Sequence, residues 1–219
     1  MLVSRLSLLF KSTHPMPSLA VALFSMLFAV GVGLGVDRIA LVGLAVLLQQ
    51  FSVGLSNDWL DLARDRASGR TDKPVAKGSL TSSLVRNSSF AAGFTALLAA
   101  GLLGWESLGW MFFMLVAGWA YNLGLKATAF SVLPYAVGFG ILPMFVTLSL
   151  EQSQIPPAWV VVVAALLGVS AHFANTLPDP ASYPHLTLPT TLPLAPPSLP
   201  LFSPTHHTYL IASSSSSPP

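Results

Sequence analysis

The stretch IALVGLAVLLQQFSVGLSNDWLDLARDRASGRTDKPVAKG, residues 39–78, changes character at its middle. Residues 39–56 carry no charge, and a helix of that length crosses about 30 Å of hydrocarbon. Residues 57–78 then hold nine of the chain's eighteen Asp, Glu, Lys and Arg residues, so an apolar span ends in a concentrated polar segment.

Outward from this boundary the same alternation recurs. Charge-free runs cover 12–36, 39–57, 87–105, 107–125, 127–150 and 152–178. They predict six membrane spans at about 18–35, 39–56, 87–104, 107–124, 129–149 and 157–177. The first run is longer than the apolar region of a signal peptide and is followed by five more, which favours an anchor over a cleaved leader. Over all 219 residues, 53% are hydrophobic and 8% are charged, against roughly 25% charged in a soluble domain. This excludes a soluble enzyme and a disordered regulator, and the absence of Cys excludes a disulfide scaffold. Net charge of +2 does not point to nucleic acid, because the basic residues form a membrane-adjacent set rather than a broad patch. The expected fold class is all-α, a multi-pass transmembrane helical bundle in a lipid bilayer.

Arg64, Arg66, Arg70, Lys73, Lys77 and Arg86 follow the second span and place that connection on the cytoplasmic side. Alternation then puts Arg5, Lys11 and Lys126 on the same side, with Asp37, Arg38, Glu106 and Glu151 opposite. The expected localisation is a plasma or inner membrane with a cytoplasmic N-terminus. Three regions are expected: a cytoplasmic tail at 1–17, the membrane domain at 18–179, and a Pro/Ser-rich tail at 180–219. Eleven of the eighteen prolines lie from Pro178 onward, which opposes further long helices. Within the spans, Gly31, Gly33, Gly35, Gly118, Gly124, Gly138 and Gly140 allow close helix approach or bends, and Pro134 and Pro143 allow a kink.

Asp58, Asp61 and Asp65 are spaced by three and four residues, so a continuing helix puts the carboxylates on one face. Like charges there repel unless a cation gathers them. Mg²⁺ takes oxygen ligands and commonly combines carboxylates with substrate phosphate oxygens. Asn57 adds an amide oxygen, while Arg66, Arg70 and Lys73 supply positive charge for phosphate oxygens. An ordinary solvated loop is the competing reading of the basic residues alone.

At this point the sequence resembles the UbiA superfamily of intramembrane prenyltransferases. NDWLDLARDR at 57–66 looks like the first aspartate-rich motif, and RTDKP at 70–74 looks like its continuation. The resemblance covers roughly 18–179 and implies about nine spans, of which six are expected here. It implies Mg²⁺ and a polyprenyl diphosphate donor, with Asp58, Asp61 and Asp65 as catalytic and metal residues. By the same resemblance Asn57, Arg66, Arg70 and Lys73 face the donor. The segment HFANTLPD at 172–179 resembles the opening of the second such motif, which implies metal binding by Asp179 and substrate contact by Asn175. The family pattern expects another acid one turn on, where this chain has Tyr183. His172 could contact substrate or serve packing, and Tyr121 and Lys126 resemble the family's Tyr-to-Lys segment, with an interface anchor and a snorkelling lysine as alternatives. Trp59 and Trp119 read as packing aromatics. The atypical 180–219 segment fits a truncated or frame-shifted product, with a specialised tail as the alternative.

The implied activity is Mg²⁺-dependent transfer of a prenyl group to an aromatic or other lipid-soluble acceptor. A transporter or noncatalytic membrane binding protein would also explain the apolar helices. A CDP-alcohol phosphotransferase is disfavoured because its D-G-x-x-A-R pattern is missing.

Overall fold

The computed structural model describes residues 2–176, which form eight α-helices and one short 3₁₀ turn. These are α1 (Leu2–Lys11), α2 (Pro15–Gly31), α3 (Val36–Leu60), α4 (Leu62–Ala67), α5 (Ser82–Leu103), α6 (Trp105–Leu123), α7 (Leu133–Thr147) and α8 (Ala158–Thr176), with the 3₁₀ turn at Leu125–Ala127. Among the described residues there is no strand, in agreement with the all-α expectation.

Each of the six apolar runs contains a helix, and two of these helices, α3 and α8, have on their own the length and hydropathy of a membrane crossing. A third candidate arises if residues 4–11 and α2 count as one span bent by 66°. α7 has 15 residues, a rise of about 22 Å, and falls short of the hydrocarbon thickness. α5 opens on SSLVRNSS, which dilutes its apolar length. The expected N-terminal tail is likewise helical over most of its length. Leu8 and Leu9 of α1 pack against buried Leu55, Val75, Leu80 and Val85.

Around the interior, α2 packs on α3, α3 on α6, α6 on α7, and α7 on α2, which closes a ring of four helices. α5 lies against α3 and α6, while α8 lies against α7. Small side chains line many of the contacts, including Ala22, Ala29, Ala45, Ala96, Ala99 and Ala100. Other large ones face out: Leu19, Leu23 and Leu27 on α2, and Phe90, Phe94, Leu98 and Leu102 on α5 are exposed at four-residue intervals, while Met111, Leu142 and Phe145 fill the core. A water-soluble monomer rarely exposes such continuous apolar faces, whereas small residues inside and large ones outside suit helices packed in lipid.

Two local features set the ends of the bundle. At one, Arg38 donates to Leu103 O at 3.2 Å and to Ser149 O at 2.7 Å, so one guanidinium ties carbonyls at the C-terminal ends of α5 and α7. At the other, the break between α1 and α2 sits on Gly54, where a Cβ would come within 2.6 Å of Thr13 O. His14 takes up a left-handed conformation there, with φ 53°, and Pro15 starts the next helix. Pro134 likewise lies in the first turn of α7, and Pro143 lies in its interior.

Candidate active site

α3 carries Asn57 and Asp58 in its last turn, Asp61 follows it, and Asp65 belongs to α4. The peptide N–H of Asp61 bonds Asn57 O at 2.9 Å and that of Asp65 bonds Asp61 O at 2.8 Å, so helical spacing persists through the junction. All three carboxylates are buried. At about 100° per residue, Asp58 and Asp65 point about 20° apart, and Asp61 lies about 60° from the first and about 40° from the second, so all three share one face. On that face they meet two different lysines.

Lys73 reaches the first pair. Its Nζ lies 3.2 Å from Asp58 Oδ1 and 2.8 Å from Asp65 Oδ2, and donates to Asn57 Oδ1 at 3.3 Å. Burial works against charge on Lys73, but Asp58 and Asp65 outweigh it and hold the ammonium above the ordinary lysine value. Lys126, in the 3₁₀ turn after α6, donates to both oxygens of Asp61 at 2.6 Å. Arg64 adds a contact to Asp61 Oδ2 at 2.7 Å. Burial pulls Lys126 below the ordinary lysine value despite Asp61, and Arg64 and Lys73 act in the same direction as burial.

Asn57 also donates from Nδ2 to Asn122 Oδ1 at 3.1 Å, and Asn122 donates to Val53 O and Ser56 Oγ, both at 2.8 Å. This ladder ties the motif on α3 to the end of α6. His14 Nε2 approaches Asp58 Oδ1 to 3.1 Å from the α1–α2 break.

A cavity of about 250 Å³ runs into the ring of helices below these groups. His14, Asn57, Asn122 and Asn175 are among its polar lining, and Val21, Val53, Met114, Phe139 and Leu142 among its apolar lining. Gln49 and Gln50 line it further along α3. An apolar chamber whose polar groups adjoin a carboxylate cluster can hold an amphiphile with an anionic head.

The other expected residues separate by position. Tyr121 lines the cavity, packed edge-on against Tyr135 at 5.2 Å between ring centroids. His172 is fully buried, with Tyr135 at 5.2 Å and its Nε2 3.3 Å from Ser131 Oγ, and it does not line the cavity. Arg66 is exposed. Arg70 grips Asp72 through Nε at 3.1 Å and Nη2 at 2.8 Å, which holds that carboxyl down at about 2. Asp179, Tyr183 and the 180–219 tail lie outside the described residues. Trp59 and Trp119 cluster with Phe90 away from the cavity, and Trp119 Nε1 donates to Ser52 Oγ at 3.1 Å.

Mg²⁺ was expected on Asp58, Asp61, Asp65 and Asp179. Among the described residues, no three acidic, His or Cys side chains gather as a ready metal cage. The donor chemistry nevertheless fits a hard cation. Three oxygens, from Asp58, Asp65 and Asn57, already surround one positive centre, the Lys73 ammonium.

The model of the UbiA prenyltransferase family matches residues 18–212. The chain belongs to the UbiA prenyltransferase family. No curated protein and no solved structure matches it. Membership makes it an integral membrane protein of a prenyl-transferring family, in keeping with its exposed apolar helix faces. Within this UbiA-family chain, sequence reasoning missed His14, Arg64, Asn122 and the two glutamines as site residues. Gln49 and Gln50 did leave a signal, being polar side chains inside an uncharged span. His14 left none, because its partner is 44 residues away.

Proposed function

We propose that this chain binds a polyprenyl diphosphate with Mg²⁺ and transfers the prenyl group to an aromatic or other lipid-soluble acceptor. The observation that carries the reading is the oxygen cluster of Asn57, Asp58 and Asp65 next to an apolar cavity within the helix ring. Asp58 and Asp65, with Asn57, would hold the cation; Asp61, the third carboxylate of the set, would add its negative charge to the metal's attraction and keeps Lys126 beside it. When bound, Mg²⁺ supplies positive charge to the leaving diphosphate and so favours its departure.

The chain's own residues supply the remainder. Lys73 and Lys126 place ammonium groups beside the diphosphate and stabilise the charge that develops as the allylic carbon–oxygen bond breaks. The leaving group takes the bonding pair, the acceptor's nucleophilic atom bonds to the allylic carbon, and the acceptor loses a proton. The cavity walls formed by Val21, Val53, Met114 and Leu142 exclude water from the allylic cation and hold the isoprenoid chain. Asn175 and Tyr121 face the same space. The proposed sidedness puts the motif, Lys77 and the N-terminus in the cytoplasm, on the strength of the basic residues after α3.

Asp61→Asn and Asp65→Asn test the site. Each keeps side-chain size and removes a charge, so donor affinity for geranyl, farnesyl and longer prenyl diphosphates is expected to fall in Mg²⁺ while membrane recovery is unchanged. Unaltered magnesium-dependent affinity in both variants would reject the site.

A further inference from the structure

Lys73 comes to the carboxylates from outside the helices, on the turns of residues 68–81 between α4 and α5. The segment is anchored beside it: Pro74 and Val75 are buried, and Val75 packs with Leu55, Leu80 and Val85. Its ammonium is consequently presented from a fixed root on a flexible four-carbon stem. The three oxygens around Nζ belong to the same side chains that the proposed function assigns to the cation. An ammonium on these oxygens and a dication bound at the same oxygens exclude each other. The two positive centres would repel, and Mg²⁺ requires oxygen contacts of about 2.1 Å that leave no room for an intervening nitrogen.

We propose that Lys73 is a tethered stand-in for the divalent cation. In the metal-free chain it keeps Asp58 and Asp65 together and offsets one of their two negative charges inside the protein. Metal loading expels the ammonium from between them, and the expelled group then meets the oxygens of the incoming diphosphate. One side chain thus serves in turn as the carboxylates' counter-ion and as a ligand of the leaving group. The exchange rests on the proposed function, and it adds that metal entry and Lys73 departure are one event. Asp61 takes no part, because Lys126 and Arg64 hold it separately.

Amine footprinting of the unaltered protein in lipid provides the test, with exposed Lys77 as the internal reference. Without metal, Lys73 should acetylate slowly relative to Lys77, since only 8% of its surface is exposed. Mg²⁺ alone, at concentrations that support donor binding, should raise the ratio several-fold, and added inorganic pyrophosphate should lower it again. A ratio that Mg²⁺ leaves unchanged overturns the exchange. As a second measurement, Lys73→Met should bind Mg²⁺ without donor about tenfold or more tightly than the unaltered chain, because a competing charge-assisted contact is gone. It should bind pyrophosphate in Mg²⁺ more weakly. Equal or weaker Mg²⁺ affinity in Lys73→Met overturns the stand-in role while leaving the metal site intact. Donor binding that ignores Mg²⁺ altogether rejects the site itself, and the exchange with it.

Discussion

Gly54→Ala isolates the close approach that brings His14 to Asp58. In an open helix position this change is stabilising by about 0.5–1 kcal/mol, because glycine loses more backbone freedom on folding. At Gly54 the new Cβ would stand 2.6 Å from Thr13 O, 2.9 Å from the Thr13 carbonyl carbon and 3.2 Å from His14 Cδ2. Two of these obstacles are backbone, so the α1–α2 break must retreat by about 0.7 Å to reach an ordinary contact. Overpacking of this kind costs about 1–3 kcal/mol. Gly101→Ala on α5 is the control, since a Cβ there meets nothing within 4 Å. The helix-propensity gain is common to both variants and cancels, leaving a difference of about 1–3 kcal/mol, or about 2–12 °C in thermal midpoint. The His14–Asp58 contact of 3.1 Å should lengthen beyond hydrogen-bond range in the Gly54 variant alone. Thermal unfolding of both variants in one detergent or lipid, with donor affinity measured alongside, provides the comparison. Equal midpoints and equal donor affinity would show that the N-terminal break does not rest on Gly54.

Lys126→Met should destabilise the chain by about 3 kcal/mol, near the lower end for breaking a buried pair, because Arg64 remains beside Asp61. Asp61→Asn combined with it should recover part of the loss, and additive losses in thermal unfolding would refute the pairing. Lys77→Cys should label from the cytoplasmic face of sealed, oriented vesicles, since the chain contains no other Cys. Labelling from the opposite face before the membrane is broken would overturn the sidedness.

The helices and their environment were legible because both are local properties. A charge-free run such as 39–56 needs no partner to declare that it is helical and apolar, and the family match at 18–212 covers the six expected spans and continues beyond the 18–179 region of the resemblance. The motif at 57–66 was equally plain, since its spacing is written in consecutive residues. Local spacing puts Asp58, Asp61 and Asp65 within one arc of about 60°, but it does not say that Lys126 meets Asp61 while Lys73 meets the other two. Nothing in the residues around Lys126 announces a partner 65 positions away, and His14 resembles a helix-start residue until α3 closes on it. The exact ends of the helices were not legible, because they are decided by capping and turns, as at Pro134 and Thr81. By itself the sequence determined that this chain is a membrane-embedded helical protein with an acidic, oxygen-rich motif. Tertiary structure decided which cation each carboxylate meets and which side chains share the cavity, because those depend on distances between helices that periodicity along one helix does not encode.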